Sequence, residues 1–298
     1  MVLVSVCMLV YQQKDTIADA INSVLMQKTE FEYEILIGDD ASTDGTQDII
    51  REYCKKEPER CFLIKQEKNG GPTKNARDLI RHARGRYIAF LEGDDCWTDQ
   101  EKLQMQIEFL QKNPDYSLVY HACKMVDMEG NILKQLEQKE ELATLKELFP
   151  RGNRYMATSS MVGRNLYAEH PDWIKYLTYT HYIGDIPIKA AYLKSGKIGY
   201  INRVMSLYRK ETQKGTSYSA MDLNVQRLDE MRAYRAVRHM YQGKKCESVN
   251  IMQMRVIRDI IEDWCQKKQK KKILKLFFGE MTMYEKLRYC KWRLLKEG

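Results

Sequence analysis

The chain has 298 residues, 44% of them hydrophobic, and a formal net charge of +8. That length suits one large domain, or one domain with an appendage, and the apolar content supports a sizeable core. The charge is local: residues 266–298 hold nine Lys and two Arg against three Glu. The first 265 residues are therefore close to neutral, which argues against a nucleic-acid binder with charge spread over its main domain.

In chain order, residues 2–10 read as a buried strand. The run MVLVSVCMLV is ten residues long with no basic segment before it, too short to span a bilayer and unlike a signal peptide. Ile17, Ile21, Val24 and Leu25 then fall at helical spacing, with Asp15 or Thr16 as N-cap. YEILIGDD is a second strand ending in carboxylates, and STDGTQDIIREYCKK a turn and a helix. CFLIKQ is a third strand, followed by a helix that Gly70 and Gly71 open and Gly85 closes. RYIAFLEGDD is a fourth strand, with a helix after it capped by Asp99. Four strand–helix units in about a hundred residues predict a doubly wound, mostly parallel α/β sheet.

From about residue 115 the pattern loosens. YSLVYHACKMVD and NILKQ read as a hairpin turning at MEGN, IGDIPIKAAYLKSG as a helix with an acidic start, and KIGYINRVMSLYRK as paired strands. ETQKGTSYS is a polar loop, and helices follow from residue 221. The chain carries no internal repeat. The eight cysteines form no Cys-x-x-Cys pair, which excludes a zinc ribbon and a disulfide framework and fits reduced cytoplasmic thiols.

In doubly wound sheets ligands sit outside the carboxyl ends of the strands. Here those ends carry Tyr11, then Asp39 and Asp40, then Glu92, Asp94 and Asp95. A carboxylate cluster at a strand end is a hard-oxygen site for Mg²⁺ or Mn²⁺, able to neutralise nucleotide phosphates. The plainer alternative is a solvated acidic loop. Asp39 and Asp40 are more than the Asp44-Gly45 turn needs and suit a base ring N–H or a ribose hydroxyl; Tyr11 suits a stacked base or, equally, a half-buried aromatic. Asp185 is a candidate general base for a hydroxyl nucleophile, or simply a helix N-cap. His121 and His181 have no metal-ligand spacing. Trp97 serves either as a pocket floor or as helix-start packing.

Together, VSVCMLVYQQKDTIADAINSVLMQ, YEILIGDDASTDGT, NGGPTKNARDLIRHARGRYIAFLEGDD, IGD at 183–185 and VMSLYRK resemble the family 2 glycosyltransferases over about residues 1–215. These are inverting enzymes with the GT-A nucleotide-sugar fold, and the Glu-Gly-Asp-Asp form is similar to a subgroup common in bacterial surface-polysaccharide synthesis. The resemblance implies a GT-A domain at 1–220, with a nucleotide-binding half at 1–115 and an acceptor half at 116–220. A basic helical extension at 221–298 follows. It implies that Tyr11, Asp39 and Asp40 hold the uracil of a UDP-sugar. Lys74 touches the nucleotide or diphosphate, where the family has Arg, and Asp94 lies against the ribose. Asp95 ligates Mn²⁺ or Mg²⁺ with Glu92 assisting, and Asp185 is the base. Tyr208 and Arg209 lie on the loop closing over the diphosphate. Two residues depart from the pattern: Glu92 stands where the metal motif opens with Asp, and the His usual after Arg209 is absent.

The implied acceptor is a glycan or a lipid-linked sugar. The tail from Lys267 on combines lysines with Leu, Phe, Trp and Tyr. It suits the inner face of an anionic membrane, packing on the domain, or a homodimer contact. Competing readings are a nucleotidyltransferase, whose Gly-rich phosphate loop is missing from YQQKDT, and a basic nucleic-acid-binding protein using the tail alone.

Overall fold

The computed structural model describes residues 1–136, 141–149, 156–210 and 221–297. Four parallel strands begin the chain: β1 (Val4–Val10), β2 (Tyr33–Asp39), β3 (Cys61–Lys65) and β4 (Tyr87–Glu92). Helices α1 (Ile17–Leu25), α2 (Thr46–Lys56) and α3 (Pro72–His82) alternate with them. Val4, Val6 and Met8 point into one apolar cluster and Cys7 into another. With both faces covered, the strands need continuous rather than alternating apolarity.

Among the described residues nine strands share one sheet, in the order β3-β2-β1-β4-β8-β6-β9-β5, with β7 on β6. The later strands are β5 (Cys96–Trp97), β6 (Tyr116–Val126), β7 (Ile132–Leu136), β8 (Val162–Arg164) and β9 (Lys197–Arg209). The parallel set reverses direction of growth between β1 and β4, where a crevice opens at the carboxyl ends. The expected hairpin is present as β6–β7, with Gly130 at φ +87° in its turn.

Three local expectations are corrected. The segment 197–209 is one strand, not two; it runs parallel to β6 with register shifts around His121–Cys123. Gly85 does not close α3, whose C-cap is Ala83. A Cβ at Gly85 would lie 2.5 Å from the Ser5 nitrogen, so glycine lets two backbones approach. Glu101, not Asp99, is the N-cap of α4 (Lys102–Lys112); Asp99, two residues earlier, accepts the Glu101 N–H.

Helix α7 (Asp185–Ser195) packs on β6 and β9, and α5 (Leu145–Leu148) and α6 (Leu166–Glu169) pack against α7. They are followed by α8 (Leu223–Met240), α9 (Glu247–Gln266), α10 (Lys270–Lys275) and α11 (Met283–Glu297). Met231, Tyr234, Val237, Val249 and Ile257 from α8 and α9 share one apolar cluster with Phe90 and Tyr120 of the sheet and Tyr192 of α7. Residues on either side of position 220 thus belong to a common core. No helix among the described residues is long and apolar enough to cross a membrane.

Candidate active site

The loops after β1 and β2 are built against each other. Gln12 and Ala41 take left-handed backbone angles, φ +54° and +63°. Such conformations cost about 1–3 kcal/mol at a non-glycine residue and persist where neighbours enforce them. The neighbours are visible: Ser42 Oγ accepts the Gln12 N–H at 2.9 Å, and Gln12 Oε1 accepts the Thr43 N–H at 2.8 Å. Tyr11 is half-buried at this junction, one residue past β1.

Asp39 and Asp40 are both buried, yet each carboxylate has donors of its own. Asp39 accepts from the Ser42 N–H and from Gln47 Nε2 at 2.6 Å. Asp40 accepts the N–H groups of Gly70 and Gly71, each at 2.8 Å. Gly71, at φ +84°, sits where a Cβ would lie 2.7 Å from the His181 ring. The Thr73 N–H donates to the His181 carbonyl. The Asp40 side of the crevice is therefore joined to the segment leading to Asp185. Lys74, in the first turn of α3, pairs with Asp78 at 2.8 Å and is bonded to Gln66.

The acidic turn after β4 is pinned at several points. Thr16 holds the N-cap position of α1, as expected, but its hydroxyl donates to the Gly93 carbonyl at 2.9 Å rather than accepting a helix N–H. Because β5 pairs with β9, Cys96 against Leu207, Arg209 arrives beside Asp94 and Asp95. Its N–H donates to Asp95 Oδ1 at 2.9 Å and its Nη1 to the Asp94 carbonyl at 2.8 Å. Its Nη2 pairs with Asp19 on α1 at 3.0 Å. Arg209 ends a strand, and Tyr208 beside it lies opposite Met125 and packs against the cluster of Cys123, Leu136 and Ala157. Neither residue lies on the expected loop, whose residues 211–219 fall outside the described residues.

Asp95 is fully buried, and its Oδ2 accepts no hydrogen bond of normal geometry among the described residues, although the Ser159 hydroxyl is near enough to ease the carboxyl's charge. Burial, then the charges of Asp94 and Glu92, push its pKa well up. Burial pushes Glu92 up to about 8, with further increments from Asp94 and Asp185 and relief from Lys189. Asp185 thus lies within electrostatic reach of the β4 acids, about ninety residues away in sequence. It is the first residue of α7 and does not cap it: Gly184 holds that position, and Asp185 Oδ2 pairs with Lys189 Nζ at 2.6 Å.

The segment before Asp185 is held by a residue absent from the sequence expectations. Asp229 on α8, 1% exposed, accepts three successive backbone N–H groups, from His181 at 2.9 Å and from Tyr182 and Ile183 at 2.8 Å each. Beside it, Glu230 accepts the Tyr234 hydroxyl at 2.9 Å; burial raises the pKa of both, with a smaller contribution from the charge of Asp185. Lys189 was legible as an i+4 partner of Asp185. Asp229 had no such signal, because LDEMR reads as a solvated helix face.

Two other sequence candidates are structural. Trp97 is buried, donates Nε1–H to the Ser159 carbonyl at 2.9 Å, and is covered by Lys102 Nζ at 3.8 Å from its ring centre. His121 is buried, with Nδ1 2.8 Å from the Ala122 carbonyl.

Among the described residues, no three His, Cys, Asp or Glu side chains converge to hold a metal on protein ligands alone. A Mg²⁺-type ion needs only one or two carboxylates when phosphate and water complete its shell. The buried Asp95 Oδ2, which accepts no hydrogen bond of normal geometry and lies beside two further acids, fits that requirement.

Residues 5–168 match the sequence profile of Glycosyl transferase family 2. The chain belongs to that family. An uncharacterized protein of Mycobacterium tuberculosis is 31% identical over 217 residues, covering 69% of this chain and 58% of its own length. A Bacillus subtilis protein named for teichuronic acid biosynthesis, the glycosyltransferase TuaG, is 42% identical over 108 residues, covering 36% of this chain and 42% of its own length. This chain therefore spans about half the length of these relatives. In three dimensions it is similar to Staphylococcus aureus TarS, residues 1–349, crystallised with UDP: TM-score 0.59, 17% identity, covering 96% of this chain and 78% of that one. At that identity the likeness shows the fold, which is the GT-A architecture expected.

Proposed function

We propose that this chain transfers a sugar from a UDP-linked donor to a hydroxyl of a glycan or lipid-linked acceptor, inverting the anomeric carbon. The supporting observation is the electrostatic meeting of Glu92, Asp94 and Asp185 at the sheet's carboxyl edge, beside the buried Asp95 oxygen that accepts no hydrogen bond of normal geometry.

Asp185 takes the proton of the acceptor hydroxyl as its oxygen bonds to the anomeric carbon. The bond from that carbon to the diphosphate breaks, and its electron pair leaves with UDP. Arg209 and Lys74 offset the growing negative charge. Tyr11, Asp39 and Asp40 shape the base pocket, and Asp94 lies against the ribose. Asp95, with Glu92 beside it, would hold Mn²⁺ or Mg²⁺, which supplies positive charge to the leaving diphosphate.

TarS crystals containing UDP and UDP-GlcNAc support a UDP-linked donor. The name of TuaG, given for teichuronic acid biosynthesis, supports a bacterial polysaccharide as product.

The test is a panel of UDP-sugars with Mn²⁺, read by UDP release and by thermal stabilisation. One donor should stabilise the protein and be consumed. Asp185→Asn should keep UDP binding and lose transfer. Stabilisation by none of the UDP species, or full transfer by folded Asp185→Asn, refutes the reading.

A further inference from the structure

We infer that the face formed by α10, the π-helical turn at Leu276–Glu280 and α11 docks on an anionic lipid bilayer. Four large apolar side chains stand out there: Phe278 is 73% exposed, Met283 70%, Leu287 65% and Leu274 56%. Leu274 and Phe278 are four residues apart on one helical run, and so are Met283 and Leu287 on the next, so each pair shares a side. The two runs meet, because Lys286 Nζ lies 5.7 Å from the ring centres of both Phe277 and Phe278.

The opposite sides are committed to the protein. Leu276, Met281 and Tyr289 are buried. Arg235 pairs with the buried Glu285 at 2.8 Å, and Arg232 with Glu280 at 2.9 Å. The apolar patch is thus presented by helices fixed to α8.

Charge identifies the occupant. Six lysines lie between residues 264 and 279, with no acidic residue among them. Among the described residues Lys270, Lys271, Lys272 and Lys275 make no ion pair. A groove of about 470 Å³ adjoins them, lined by Leu228, Trp264, Leu276, Lys272 and Lys275 together with the acids Asp222 and Glu280. A lysine fringe around exposed aliphatic and aromatic side chains matches anionic headgroups over acyl chains. A second copy fits poorly, since a two-fold contact would set one lysine run against the other. A nucleic-acid backbone leaves the aliphatic side chains in water. This inference rests on the surface alone and is independent of the transfer reaction.

The test is co-sedimentation of the full chain with vesicles of phosphatidylcholine, with and without phosphatidylglycerol. Binding should be at least about tenfold stronger to the anionic vesicles and weaken with salt. Phe278→Ser with Leu287→Ser should lower it by about tenfold at unchanged charge. Lys271→Glu with Lys275→Glu should lower it by a similar factor. All four positions are exposed, and an unchanged melting temperature shows that the variants fold. Equal binding to both vesicle types, no binding, or variants that bind like the parent overturn the inference. So does loss of self-association, instead of vesicle binding, in the apolar variant, which makes a second copy the occupant.

Discussion

Asp229→Ala separates the architecture of the site from its chemistry. The substitution removes a buried acceptor from three backbone N–H groups at positions 181–183. Hydrogen bonds to a charged group contribute about 1.5–3 kcal/mol each, which sets an upper limit near 9 kcal/mol. The His181 and Tyr182 donors are only partly buried and can turn to water, whereas the Ile183 donor is buried. The expected loss is therefore about 2–4 kcal/mol, a fall in melting temperature of several degrees. The larger effect should be on turnover. Displacing Asp185 by about 1 Å lowers kcat about a hundredfold. UDP affinity, if the proposed base pocket around Tyr11 and Asp40 is correct, should change little. The assay pairs initial-rate kinetics with calorimetric UDP binding and a melting curve. Asp229→Asn, which keeps an acceptor oxygen, should fall between the two. If the alanine variant keeps both stability and kcat, the loop does not depend on Asp229. If it melts earlier but turns over normally, Asp229 supports the fold and not the base.

Other outcomes follow from the same geometry. Because burial and neighbouring acids raise the Glu92 pKa from 4.5 to about 8, the native state holds a proton that the unfolded chain releases near 4.5. Its stabilising contribution is complete below about 4.5 and is lost as pH rises through about 8. Melting temperatures of the metal-free protein should decline across that window, less so in Glu92→Gln, and Mn²⁺ should stabilise more at its alkaline end. Asp95→Ala should abolish Mn²⁺-dependent stabilisation and lower transfer by about two orders of magnitude or more, read by titration and initial rates. Gly71→Ala should destabilise the protein by about 1–3 kcal/mol, because the backbone is left-handed and the new methyl would meet His181; denaturant unfolding measures it.

The first half of the fold was legible because apolar runs alternate with helical spacing, and β2 and β4 end where apolar residues give way to acids. Asp40 and Asp95 could be picked out for the same reason. Their partners could not: Gly70, Gly71 and Arg209 reach them through loop geometry and through β5–β9 pairing, which no local pattern encodes. The segment 197–209 read as two strands because polar Asn202 and Arg203 interrupt it. They are exposed along one continuous strand, where Arg203 pairs with Asp99 at 2.5 Å. Gly85 looked like a helix stop because a glycine needed for close backbone approach has the same letter. Asp229 was invisible because a charged residue in a helix signals water unless its distant neighbours are known.

The apolar cluster joining α8 and α9 to the sheet has an evolutionary corollary. A chain whose carboxyl-terminal helices supply both core side chains and the clasp on the segment before Asp185 cannot exchange those helices as a cassette. Chimeras cut near residue 220 should therefore lose the fold. In such a chain these helices are expected to vary by substitution rather than by exchange.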